Sequence, residues 1–189
     1  PQTPAGTYTF TYNLCEVGAV PANCDLATVT VVVSAAPIDA INDNLTTNPI
    51  NGYNGGIVGN IFSNNGSGQD TLNNVPAIPT QVVISIVNNG GINGLTISSN
   101  GNVVVPSGTP SGTYTVTYSI CEILNPTNCD QATVLIIVTA PPIDAVDDLN
   151  NDAVNEAAGG TIPLYSNDTL NQNPLIPSDV VFTLVDNGG

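Results

Sequence analysis

Two stretches of the chain are nearly the same text. GTYTFTYNLCEVGAVPANCD at residues 6–25 returns as GTYTVTYSICEILNPTNCD at residues 112–130. Repetition at this range constrains the fold more than any local motif, because each copy must fold alike and join to its neighbours. Other landmarks recur in step. Ile38-Asp39-Ala40 returns as Ile143-Asp144-Ala145, and Asp70-Thr71-Leu72-Asn73 as Asp168-Thr169-Leu170-Asn171. The period of roughly 105 residues is too long for a solenoid repeat and suits separate domains in series. The later copy is shorter just before the second landmark, with SND where the middle copy has SNNGSGQD. The chain therefore divides into 1–36, the C-terminal part of one repeat; 37–140, a complete repeat; and 141–189, the N-terminal part of the next.

Within the complete repeat the pattern is that of strands. From Thr113 to Ile120 the residues alternate strictly, with Tyr114, Val116, Tyr118 and Ile120 on one face and hydroxyls on the other. That is the signature of an antiparallel sheet with one side packed and one side wet. Leu95-Thr96-Ile97 and Val103-Val104-Val105 flank an Asn100-Gly101 turn, a hairpin signal. Gln81 to Val87, Ala132 to Val138 and the shorter Ile57 to Phe62 supply further strands, and no helical period occurs. Several short strands punctuated by Gly, Pro and Asn predict an all-β fold of tandem immunoglobulin-like or cadherin-like β-sandwich repeats.

Charge narrows the function. The chain holds 15 Asp and Glu and no Lys, Arg or His, a formal charge of −15. Without a cation it cannot take up nucleic-acid phosphates by counterion release, and an anionic membrane surface repels it. Catalysis by Ser-His-Asp, Cys-His or a lysine Schiff base has no base to use. The hydrophobic share of 41%, rich in Val and Ile, argues for a packed fold over disorder. No apolar run is long enough to span a bilayer. No signal peptide is visible, and the first residues read as the interior of a mature chain.

The cysteines fall in pairs, Cys15 with Cys24 and Cys121 with Cys129, each across a Pro-containing loop where one strand ends and the next begins. That placement suits a disulfide closing a hairpin mouth, worth roughly 2–3 kcal/mol for so short a loop. Zinc prefers tighter spacing and further ligands, and no histidine is present. A disulfide implies an oxidising, extracellular compartment.

Acids gather at the repeat boundaries, in PIDAINDN at 37–44 and PIDAVDDLNND at 142–152. Asp39, Asn42 and Asp43 correspond to Asp144, Asp147 and Asp148, and Asp168 adds oxygens from a neighbouring loop. Carboxylates and amides so placed could coordinate Ca2+. Equally, Asp and Asn could simply start turns in a solvated linker. Both readings stand. A glycosidase-like acid pair is disfavoured, since the acids lie in linkers and Trp is absent. The chain is not expected to be an enzyme. Glu16 and Glu122, each following the first cysteine of its pair, are expected to project from loops.

The string TPSGTYTVTYSICEILNPTNCDQATVLIIVTAPPIDAVDD, with SNDTLN and a closing DNGG, resembles the repeats of giant Bacteroidota cell-surface adhesins of the SprB gliding-motility type, over essentially the whole chain. The resemblance implies export by a type 9 secretion system and an extracellular, outer-membrane-associated filament of many repeats gripping a surface or polysaccharide. Its partners would be neighbouring repeats and, elsewhere in the full protein, the gliding and secretion machinery. It also implies O-glycosylation at Thr71 and Thr169 in the Asp-Thr-Leu strings, against which stands a plain Asp-capped turn.

The leading expectation is a stalk or adhesive segment of a long surface filament. A polymerising subunit is the second, since residues 141–189 and 1–36 supply most of one repeat between them. A glycan-binding module is the third, with the SNNGSGQ stretch as its candidate surface.

Overall fold

The computed structural model describes residues 2–149 and 156–186. The first element is a long antiparallel hairpin, β1 (Gly6–Cys15) and β2 (Cys24–Val33), paired without a break from Gly6↔Val33 to Cys15↔Cys24. Thr alternating with Tyr and Phe in β1 and the Val- and Thr-rich run of β2 are β-formers that suit ten paired residues per strand.

The same hairpin recurs as β12 (Gly112–Glu122) and β13 (Cys129–Thr139), but here it is the spine of a β-sandwich. The elements before it are β3 (Ile38–Asp39), β4 (Asp43–Asn44), β5 (Ile50–Asn51), β6 (Gly56–Asn60), β7 (Thr71–Leu72), β8 (Val75–Pro76), β9 (Val82–Asn88), β10 (Thr96–Ile97) and β11 (Asn102–Val105). One sheet runs β4-β13-β12-β9, with β5 also on β13; the facing sheet is β10-β11-β6; a small third sheet, β3-β7-β8, closes one end. β4 and β5 join β13 in parallel, Asp43 opposite Val134 and Ile50 opposite Val138.

The core fills the space between the sheets. Val116, Tyr118 and Ile120 from β12 and Ala132, Val134, Ile136 and Val138 from β13 meet Leu45, Val58, Ile61, Ile92, Leu95, Val103 and Val105, all buried. The predicted inward face of β12 is thus observed, with Tyr114 at its half-buried end. The outward face is less wet than its hydroxyls suggest. Ser119 is buried and its Oγ donates to the Asp130 carbonyl at 3.0 Å. Gly90 permits one tight corner: its φ of +66° suits glycine, and a Cβ there would collide with the Thr115 carbonyl.

Beyond the sandwich, β14 (Ile143–Asp144), β15 (Thr169–Leu170) and β16 (Asn173–Pro174) form a sheet in the order of β3-β7-β8, followed by a 3-10 turn at Pro177–Asp179. Fine details repeat too. The Asn73 N–H donates to the Pro37 carbonyl and the Asn171 N–H to the Pro142 carbonyl, both at 2.7 Å. The Tyr8 hydroxyl donates to the Pro4 carbonyl as the Tyr114 hydroxyl does to the Pro110 carbonyl. The fold is all-β, with no α-helix among the described residues.

Candidate functional site

Both cysteine pairs are bonded, Cys15 to Cys24 and Cys121 to Cys129, each at the last register position of its hairpin. Each bridge thereby closes the short loop that joins the two strands of its hairpin.

Glu122, next to the second bridge, does not project from a loop. It is buried, and its Oε2 accepts from Asn125 Nδ2 at 2.8 Å and Asn128 Nδ2 at 2.9 Å. An anionic acceptor with two amide donors is a strong way to order a Pro-containing loop in a chain lacking cations. Glu16 keeps a simpler form of this at the surface, accepting from Asn23 Nδ2. The ordered amides then grip the hairpin before them: Asn128 Nδ2 donates to the Ala36 carbonyl at 2.7 Å, and Asn125 Oδ1 accepts the Ala5 N–H at 2.6 Å.

A second acidic cluster lies deeper. Asp70 and Asp43 are buried beside the Tyr118 hydroxyl, which is 3.0 Å from both Asp70 oxygens, 3.1 Å from Asp43 Oδ2 and 3.2 Å from the Ile41 carbonyl. Asp70 Oδ1 also accepts the Ile41 N–H at 2.7 Å, and Asp43 Oδ1 accepts Asn65 Nδ2. Loss of water raises both carboxyl pKa values, Asp43 to about 7 and Asp70 to about 6, against the lowering by these donors. The Tyr118 phenol is pushed up for the same reason, reinforced by the two acids. One phenol proton cannot serve every oxygen facing it. A proton on Asp43 would complete the set, its carboxyl donating to the Tyr118 oxygen while Tyr118 donates to Asp70. Asp70 was not singled out by sequence reasoning, although two signals pointed to it. Asp168 repeats it, and a tyrosine at a core position needs a polar partner.

The boundary residues proposed as calcium ligands separate into two groups. Asn42 Oδ1 accepts from the Thr133 N–H and hydroxyl, Asp43 is held as above, and Asp168 Oδ1 accepts the Val146 N–H at 2.8 Å, as Asp70 does with Ile41. These oxygens are committed to protein donors. Asp39, Asp144, Asp147 and Asp148 are exposed. No three His, Cys, Asp or Glu side chains gather as a metal cage among the described residues. Thr71 and Thr169 are half-buried on β7 and β15, each directly after a buried aspartate.

No family model matches the sequence, and no curated protein does. Among solved structures, the protocadherin gamma B7 extracellular cadherin domains 1–4 align with 78% of this chain at 13% identity and a TM-score of 0.35. The protocadherin gammaB4 extracellular domain aligns with 75% at 18% identity and 0.35, and the protocadherin gammaB7 EC3-6 cis-dimer with 79% at 12% identity and 0.38. The chain spans 37%, 23% and 36% of those three chains.

Proposed function

We propose that the chain is a stalk or adhesive segment of a long extracellular filament built of tandem β-sandwich repeats. On this reading residues 1–36, 37–140 and 141–189 are the end of one repeat, a whole repeat and the start of the next. Its setting is the one its wording resembles, a surface adhesin serving attachment and gliding. The observation that carries the reading is repetition down to single bonds. The Asn73–Pro37 and Asn171–Pro142 bonds match in partners and length, and both disulfide hairpins close alike. Such units suit a spacer outside the cell, where disulfides persist, and a chain without Lys or Arg offers no trypsin site. The −15 charge discourages neighbouring filaments from adhering to one another.

Two subsidiary proposals belong to it. Calcium binds weakly at the exposed linker carboxylates Asp39, Asp144, Asp147 and Asp148, in the range of about 0.1–1 mM found for extracellular modules, which calorimetric titration checks. Thr71 and Thr169 carry O-glycans, which peptide mass analysis of the native protein checks.

The apolar face of the first hairpin favours a second reading. Phe10, Tyr12, Leu14 and Val31 are 57%, 48%, 70% and 43% exposed, whereas their counterparts Val116, Tyr118, Ile120 and Ile136 in β12 and β13 are core. In a filament of one polypeptide, preceding residues cover it; in a polymer of short chains, residues 141–189 of another copy do so. The mass of the native chain in denaturant, with and without reductant, separates the two. A mass far above 19.2 kDa in both supports the filament, and a mass near 19.2 kDa overturns it in favour of the polymer.

A further inference from the structure

Successive units need a joint, and this chain has no ion pair with which to make one. What it places there is asparagine. Asn51 Nδ2 donates to Asn171 Oδ1 at 2.8 Å, and Asn171 Nδ2 donates to Asn54 Oδ1 at 2.8 Å. One side-chain amide of the following unit is thus clasped, oxygen and nitrogen together, by two amides on one loop of the preceding unit.

Both halves of the clasp are held rigidly. On the sandwich side, Asn51 Oδ1 accepts the Tyr53 N–H. The buried Gly52 between them bonds through its N–H to the Thr139 carbonyl and through its carbonyl to the N–H groups of Gly108 and Thr109. A Cβ at Gly52 would run into the Thr109 carbonyl, so the loop lies directly on the sandwich edge. On the other side, Asn171 opens the β15–β16 turn at φ +53°, and its N–H donates to the Pro142 carbonyl of the linker. Asn171 therefore ties three things at one point: its own turn, the linker, and the loop of the unit before. The middle unit carries the same turn with the same linker bond, Asn73 at φ +57° donating to Pro37. The half that Asn171 supplies is accordingly part of the repeated unit.

We propose that this amide clasp, Asn51–Asn171–Asn54, sets the orientation between the sandwich at residues 38–139 and the unit that follows, and that it does so without a metal ion. The proposal rests on the tandem-repeat reading above and adds the interaction surface through which repeats stack. Neutral amides suit the place. They donate and accept at once, so two polyanionic units meet without adding charge, and the contact does not titrate.

The test uses the full chain, isotope-labelled and weakly aligned, with residual dipolar couplings read separately from the 38–139 sandwich and the β14–β16 sheet, in EDTA. A single alignment tensor is expected to fit both. Asn171→Gly keeps the positive φ and deletes the amide; Asn54→Ala removes the partner on the other unit. Each is expected to split the couplings into two tensors, while Asn73→Gly, in the equivalent turn, leaves one. Chemical shifts within the sandwich, unchanged in all three variants, confirm that the fold is intact. The proposal is overturned if wild type in EDTA already needs two tensors, including a case where added calcium restores one, or if both clasp variants still fit one. None of these outcomes depends on the length of the native filament, so the mass measurement can fail independently.

Discussion

The Tyr118 hydroxyl stands 3.0 Å from each carboxylate oxygen of Asp70, inside a core otherwise made of Val, Ile, Leu and Ala. The contact spans the sandwich end, joining β12 to the residue that opens β7. Through Asp43 it also reaches the start of the linker-proximal strand β4, so three segments distant in sequence converge on one phenol. Polar groups so buried stabilise a unique arrangement only when all are satisfied, and their protonation state decides that.

Stability should therefore fall as pH rises through neutrality. Both carboxyls have folded pKa values above their ordinary 3.8, Asp43 at about 7 and Asp70 at about 6. The folded state thus binds more protons than the unfolded one across that interval. The favourable contribution is full below the unfolded value and lost as pH climbs through 6 and 7. General repulsion among acids acts in the same direction, so a variant must isolate the cluster. Asp43→Asn keeps an acceptor for Asn65 and gains a donor toward Tyr118. It is expected to raise the melting temperature at pH 8 by at least about 4 °C and to change it little at pH 4. Equal effects at both pH values would refute the shared-proton account.

Removing the phenol tests the cluster from its other side. Tyr118→Phe leaves the ring packed but strips Asp70 of its phenol donor and Asp43 of its hydroxyl partner. Leaving buried acceptors short of a partner costs about 1–3 kcal/mol. The loss is expected to be larger at pH 8 than at pH 5, because ionised acids depend on the donor more. Denaturant midpoints at the two pH values check it, and a pH-independent loss would point to packing alone.

Much of this architecture was legible beforehand, and the cause is periodicity. The strand at 113–120 alternates so regularly that its inward face follows, and the matched Cys pairs mark the hairpin that joins it to the Val- and Ile-rich strand at 132–138. The parallel addition of Asp43 and Ile50 to β13 was not legible, because two-residue strands carry no period. Nor was the fate of Asp43. An aspartate in an acid-rich boundary reads as solvated or as a cation ligand, and only the fold brings Tyr118 and Asn65 to it. Asn171 was hidden for the same reason. Its partners Asn51 and Asn54 lie 120 and 117 residues away in sequence, and asparagine in a Gly- and Pro-rich chain reads first as a turn residue.

The two disulfides should differ in effect although their sequences agree. Replacing Cys121 and Cys129 together by Ser is expected to lower the stability of the sandwich by roughly 2–3 kcal/mol, the entropy of the loop released. The first hairpin has exposed faces, so the same change at Cys15 and Cys24 should leave the sandwich melting point unaltered. Its effect should appear locally, as faster amide exchange in β1 and β2 near residues 14–25. A fall in the melting point with the second pair of substitutions would show the hairpin to be coupled to the sandwich core.

Glu122 links the sandwich to what precedes it. Its carboxylate orders Asn125 and Asn128, and those amides in turn hold Ala5 and Ala36, which flank the first hairpin. Glu122→Ala removes a buried acceptor serving two donors, at a cost of about 1–3 kcal/mol to the sandwich. It should also free the loop that grips the hairpin, so residues 6–33 should tumble more independently of residues 38–139 in 15N relaxation. Glu122→Gln keeps one carbonyl oxygen for the two amides and loses only the charge, so it should recover more than half of both effects. Relaxation of residues 6–33 unchanged in Glu122→Ala would mean that the hairpin is held by other contacts, leaving the carboxylate a purely internal support of its loop.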